Sequence, residues 1–143
     1  MEVRTLEECN GPLPAADGAG SAWWAAAARG SLLVQHCPSC GSRQLYPRAI
    51  CITCGADPEW EEASGRGIVH TFTVIRQNGV QPFRDMLPYV VAVVELEEGP
   101  RLMGNIAGCP VDAVFIGMPV VAYSVKVSED VGFISWEAVG SEV

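Results

Sequence analysis

Four cysteines in the stretch "HCPSCGSRQLYPRAICITCG", residues 36 to 55, stand as two Cys-x-x-Cys pairs separated by ten residues. A Cys-x-x-Cys turn makes two thiolates converge on one point while knuckle N–H groups face the sulfurs. A second turn of the same kind completes a tetrahedron around a metal, with Zn–S distances of about 2.3 Å. Gly41 and Gly55 follow the last cysteine of each pair, where the chain must turn tightly. The pattern predicts a zinc ribbon over residues 35–58 with Cys37, Cys40, Cys51 and Cys54 as ligands to Zn²⁺. Four protein thiolates fill the coordination sphere of zinc, so the site is structural, with no open position for water or substrate. A thioredoxin-like role fits poorly, because no βαβ unit surrounds either pair.

Charge decides what such a ribbon serves. The chain carries a formal −8, and four thiolates around Zn²⁺ take it to about −10. Lys126 is the one lysine, and the arginines are spread over the ribbon, the strands and a loop. Binding single-stranded nucleic acid needs a basic groove lined with aromatics, so this alternative is disfavoured. With 49% hydrophobic and 18% charged residues, most of the chain is expected to fold. The runs "WWAAAA" and "YVVAVV" are too short to span a bilayer. The N-terminal "MEVRTLEECNGPLP" does not resemble a secretory signal, and clustered thiols suggest metal rather than disulfides. A cytoplasmic location with no membrane contact is the expectation.

The organisation read from local patterns is mainly β. Residues 1–20, ending in "NGPLPAADGAG", read as a flexible arm. Residues 21–34 read as a short helix and a lead-in strand, with Ser21 as N-cap and Gly30 just past the C-terminus. After the ribbon, residues 59–143 hold five strand-like runs, which suit a five-stranded OB-fold barrel. The first of these alternates Ile68, His70, Phe72 and Val74 on one face with Val69, Thr71, Thr73 and Ile75 on the other. The run "PYVVAVVELEEG" looks buried on both sides in its first half. The long loop "RQNGVQPFRDMLP", residues 76–88, reads either as binding surface or as a cover for the barrel mouth.

No nucleophile–base–orienter set stands out, which leaves no catalytic residues to name. His70 reads as a mid-strand residue making a cross-strand hydrogen bond. His36 reads as a strand-end residue or, less simply, as a zinc ligand. Cys9 and Cys109 read as small buried groups or idle thiols rather than nucleophiles. Adjacent Trp23 and Trp24 are not expected both to face one small core. Together with Tyr46 and Phe83 they read as partner anchors, against the alternative of packing between ribbon and barrel. Trp60 and Trp136 read as intramolecular packing.

The series "AAARGSLLVQHC", "YPR", "SGRGIVHTFTVI", "PYVVAVVELEEGPRLMGNIAGC" and "IGMPV" resembles the family of rubredoxin-like zinc-ribbon and OB-fold proteins of acyl-CoA metabolism. The resemblance runs from about residue 21 to the last strand, and it places the family's ribbon cysteines on Cys37, Cys40, Cys51 and Cys54. It implies a small subunit in a hetero-oligomer with a thiolase-like or lipid-transfer-protein-like enzyme. There, a cysteine nucleophile and histidine bases of the partner run CoA-dependent carbon–carbon chemistry. One such member is the small subunit of benzoylsuccinyl-CoA thiolase of anaerobic toluene degradation, and others partner hotdog-fold enoyl-CoA hydratases. Coenzyme A or acyl-CoA would then lie at the complex interface. Arg43 and Arg48 are the candidate CoA contacts, or equally the counter-charges of the zinc–thiolate cluster.

Overall fold

The computed structural model describes residues 1–6 and 11–139. Its strands are β1 (Glu2–Thr5), β2 (Leu33–His36), β3 (Arg43–Gln44), β4 (Glu59–Glu62), β5 (Arg66–Ile75), β6 (Tyr89–Leu96), β7 (Arg101–Ala107), β8 (Pro119–Lys126) and β9 (Gly132–Ala138). Two helices accompany them, α1 (Ser21–Ala28) and the single turn α2 (Phe83–Met86). Strands β3, β2 and β4 form the small sheet of the ribbon. Strands β5, β6, β7, β9 and β8 pair in that order, and β8 returns to β5, closing the five-stranded barrel. The β7–β9 pairing is parallel and short, joining only Ile106 with Trp136 and Ala107 with Glu137.

Inside the barrel, Val69, Val90, Val94, Leu102, Val120 and Trp136 are buried. Gly104 makes room for Trp136: a Cβ there would lie 3.1 Å from the indole ring. Strand β6 alternates strictly, with Val90, Ala92, Val94 and Leu96 inward and the residues between them half-covered. Its "YVVAVVEL" is therefore not buried on both faces as expected. The period-two reading of β5 also needs correction. A register shift between Val69 and Thr71 places His70 on a bulge, so the inward set passes from Gly67 and Val69 to Phe72 and Val74. His70 stands exposed there and makes no side-chain hydrogen bond among the described residues, so the expected cross-strand bond is not formed.

The segment read as an arm contains a strand. β1 runs parallel to β8, along the edge opposite Tyr123 to Lys126, where β5 no longer pairs. Arg4 ties it down by an ion pair with Glu137 and by lying 3.8 Å over the Tyr123 ring. The signal was hidden because four residues, two of them charged, show no usable periodicity.

Helix α1 begins at Ser21, but Ser21 is its first turn rather than its cap, and its hydroxyl donates back to the Gly18 carbonyl. At the other end Gly30, with φ +86°, donates to the Ala27 carbonyl, and Ser31 N–H donates to Ala26. This paired geometry is the Schellman stop that a glycine permits. The C-terminal half of the helix meets the barrel through small residues alone. Ala26, Ala27 and Ala28 are buried, and a Cβ on Gly132 of β9 would lie 2.7 Å from Ala28 Cα. Ser124 of β8 donates to the Ala27 carbonyl across the same contact.

Gly132→Val is expected to destabilise the chain by about 2–4 kcal/mol, because backbone on the facing helix cannot swing aside as a side chain can. Gly79→Ala, where nothing lies within 4 Å, should change stability by less than about 1 kcal/mol. Urea unfolding of the two variants measures the difference.

Candidate metal centre and the surface around it

The two knuckles are built alike. Cys37 N–H donates to the Ser42 carbonyl, and Gly41 N–H returns to the Cys37 carbonyl at 2.8 Å. In the second knuckle Cys51 N–H donates to Ala56, and Gly55 N–H to Cys51 at 2.9 Å. Gly41 and Gly55 share φ +78°, the left-handed turn that an L side chain resists. Ser42 and Thr53 hydroxyls meet at 3.0 Å and link the knuckles.

The four sulfurs all lie within 4.8 Å of one another, with Cys37–Cys54 at 3.4 Å and Cys40–Cys51 at 3.7 Å. A tetrahedron with Zn–S bonds of about 2.3 Å has edges of about 3.8 Å, so the donor set is close to that which zinc requires. Backbone N–H groups of Cys54 and Thr53 bring the Cys51 thiol down to about 6. At Cys54 the Ala56 N–H also favours thiolate, but the crowded sulfurs of Cys37, Cys40 and Cys51 and burial prevail and push it up to about 12. Four sulfurs this close resist ionising together unless a cation joins them. No histidine completes the cluster: His36 stands beside it, outside the four-sulfur group.

Behind the knuckles lies a feature the sequence did not advertise. Gln35 and Gln44 are buried at 4% and 6% exposure and bonded to each other at 2.8 Å. Gln35 accepts from Arg48 N–H and donates to the Arg48 carbonyl, while Gln44 donates to the Ile50 carbonyl and accepts from Ile52 N–H. Two buried amides thus pin the backbone of loop 45–52 at three residues. The side chains of Ile50 and Ile52 nevertheless point outward, 53% and 64% exposed.

The residues read as partner anchors are placed differently from one another. Trp23 is buried within this chain at 7% exposure, its indole N–H donating to the Leu33 carbonyl, so it is packing rather than partner surface. Both tryptophans do find room, because Trp24 stacks edge-on against Trp23 at 4.9 Å and against Phe133 at 6.0 Å. Trp24 remains half-buried, as does Phe83, which leans on Tyr89 at 6.2 Å. Tyr46 is half-exposed, and its hydroxyl accepts from Met103 N–H on β7, fastening the ribbon to the barrel. Trp136 is fully buried, whereas Trp60, read as packing, keeps 37% of its surface.

Arg43 makes a two-pronged ion pair with Glu61, at 2.8 and 3.2 Å, and holds that carboxyl below its ordinary range. Arg48 is exposed, and its guanidinium has no ion pair among the described residues. Cys109 is half-buried against the barrel core, and Cys9 lies outside the described residues. Among the described residues no helix is long and apolar enough to cross a membrane.

Cys51→Ser is expected to reduce bound zinc from one ion per chain to a small fraction of that. Amides of residues 35–58 should lose hydrogen-exchange protection while those of β5 to β9 keep it, because most of the packed core lies on the barrel side of the chain. Metal analysis with peptide-resolved exchange reads both.

The sequence model described as "ChsH2, rubredoxin-like zinc ribbon domain" matches residues 24–61, and "ChsH2, C-terminal OB-fold domain" matches residues 60–124. A DUF35 domain-containing scaffold protein of Methanocaldococcus jannaschii is 39% identical over 101 residues, covering 69% of this chain and 71% of that protein. A probable enoyl-CoA hydratase alpha subunit of Thermomonospora curvata is 39% identical over 111 residues, 77% of this chain but 34% of that subunit. Among solved structures, a chain of Ltp2-ChsH2(DUF35) aldolase superposes with TM-score 0.81 at 32% identity, covering 90% of this chain and 100% of that one. With its ribbon, its barrel and their order all matched, the chain belongs to the DUF35 family of ChsH2-type zinc-ribbon and OB-fold proteins.

Proposed function

We propose that this chain is a zinc-stapled scaffold subunit of an acyl-CoA enzyme complex. Its partner, thiolase-like or lipid-transfer-protein-like, makes or breaks the carbon–carbon bond. The observation that carries the reading is the match to a chain of Ltp2-ChsH2(DUF35) aldolase along that chain's whole length. The closed donor set agrees with it, since a metal held by four thiolates shapes the ribbon and leaves substrate to another protein. Zinc, when bound, supplies cross-linking of the two knuckles. The residues of this chain supply the rest: Tyr46 fixes ribbon to barrel, and Gln35 and Gln44 fix the knuckle loop.

Contact with coenzyme A belongs to the same proposal. Of the two candidate contacts Arg43 is already engaged by Glu61, which leaves Arg48 open to an anionic group at the interface, a CoA phosphate or a partner carboxylate. Trp24, Tyr46 and Phe83 keep part of their surface for a partner. No residue specifies the acyl group, so benzoylsuccinyl-CoA has no more support here than another acyl-CoA. The second reading is a scaffold for an enoyl-CoA hydratase, favoured by the identity to the Thermomonospora curvata subunit.

Co-expression with a thiolase-like subunit from the same genome tests the reading. A hetero-oligomer that survives gel filtration is expected, with the partner poorly soluble or poorly active alone. Cys51→Ser should lower assembly first, so that turnover recovers when the variant is supplied in large excess. A thiolase-like subunit that is stable, active and never associated with this chain sinks the proposal, and association with a hotdog-fold subunit instead selects the second reading.

A further inference from the structure

The charges of the chain are unevenly distributed. Residues 18–56 hold three arginines and no Asp or Glu, whereas the remaining residues hold all 17 acids against six basic residues. The ribbon's knuckle loop therefore lies in the longest acid-free stretch of an acidic chain. Within that loop Arg43 is engaged by Glu61 and Arg48 is not engaged. Arg48 is thus the loop's cation without a carboxylate partner among the described residues, and metal-bound thiolates at Cys40 and Cys54 are the negative charge it would otherwise balance.

The same loop carries Ile50 and Ile52, more than half exposed, and Tyr46, half exposed. Single exposed aliphatics are ordinary, but these sit on backbone pinned by four hydrogen bonds from the Gln35–Gln44 pair. Holding apolar side chains out on a rigid backbone adds nothing to this chain's own core. It does remove the ordering cost that a mobile loop would incur on binding.

We propose that the second knuckle, through Ile50, Ile52 and Arg48, is the element that inserts into the partner subunit, into an apolar recess with a carboxylate at its rim. This deepens the scaffold reading and rests on it. The knuckle loop itself brings no carboxylate of its own to oppose that group. Ile52 fills the recess, and Arg48 closes on the rim.

The test uses the co-expressed complex with the thiolase-like subunit and four variants of this chain. Ile52→Glu and Arg48→Glu should each raise Kd by about 10-fold or more, with zinc content unchanged. Phe115→Glu, on the barrel and 55% exposed, should leave Kd within about 3-fold. Raising salt from about 0.05 to about 0.5 M should weaken the wild-type complex and weaken Arg48→Gln much less. Both ribbon variants change exposed side chains, and Ile52→Thr replaces Ile52→Glu if zinc is lost. A wild-type complex that the ribbon variants bind as tightly as wild type overturns the knuckle as the docking element and leaves the scaffold reading standing. No wild-type complex at all overturns both.

Discussion

No side chain separates α1 from the start of β9: at Gly132 the two backbones touch, with Ala27 and Ala28 on the other side. The position of everything N-terminal to the barrel depends on that approach. A helix of eight residues is not stable alone in water, so it exists because the alanines and Gly132 let it lie flat on β8 and β9. Its stop at Gly30 then aims the chain into β2. Trp23, bonded to the Leu33 carbonyl, holds the angle between helix and ribbon. Val3 of β1 packs over Gly30, where any Cβ would strike it, so β1 closes the same corner from outside. The alanine run, which reads in the sequence as helix propensity, serves here mainly as a thin spacer.

The metal fixes the other end. Once α1 has placed β2, the first knuckle follows at its end, and the second is reached through loop 45–52. Zinc joins the knuckles to each other, while Tyr46 joins the loop to the barrel at Met103. That hydroxyl satisfies an N–H on the edge of β7 turned away from β6, along a stretch that β9 does not reach, since β9 pairs only with Ile106 and Ala107. A tyrosine with half its ring exposed therefore has a structural duty as well as an available surface.

The parts legible in the sequence are those whose chemistry is local. Two Cys-x-x-Cys turns with their glycines announce the metal centre, and five β-rich runs separated by Gly and Pro announce the barrel. What stayed hidden depends on distant partners. The bulge at His70 reverses which face of β5 points inward, and no periodicity reveals it, because one extra residue looks like more strand. β1 needs the uncovered edge of β8 before it has any meaning. Trp23 and Trp24 were expected to compete for one core, yet an edge-on stack divides them between Leu33 and Phe133. Gln35 and Gln44 are the clearest omission. Two polar residues in short strands look solvent-facing, and only the loop folding back over them makes them the buried hub of the ribbon.

That hub bears on why a protein of this kind retains zinc. Metal alone would fix the four sulfurs and leave the ten residues between the pairs free to vary. The glutamines extend the rigidity of the metal centre outward, from Cys51 back through Ile50 to Arg48. Each amide makes three hydrogen bonds in a buried setting, where an unpaired polar group would cost about 1–3 kcal/mol. Such a network tolerates one arrangement of the loop and penalises the others. The metal centre, the glutamine pair and the tyrosine latch therefore act in series, each fixing what the previous one leaves loose. The last groups in that series, the side chains of Arg48, Ile50 and Ile52, face outward with no packing role of their own.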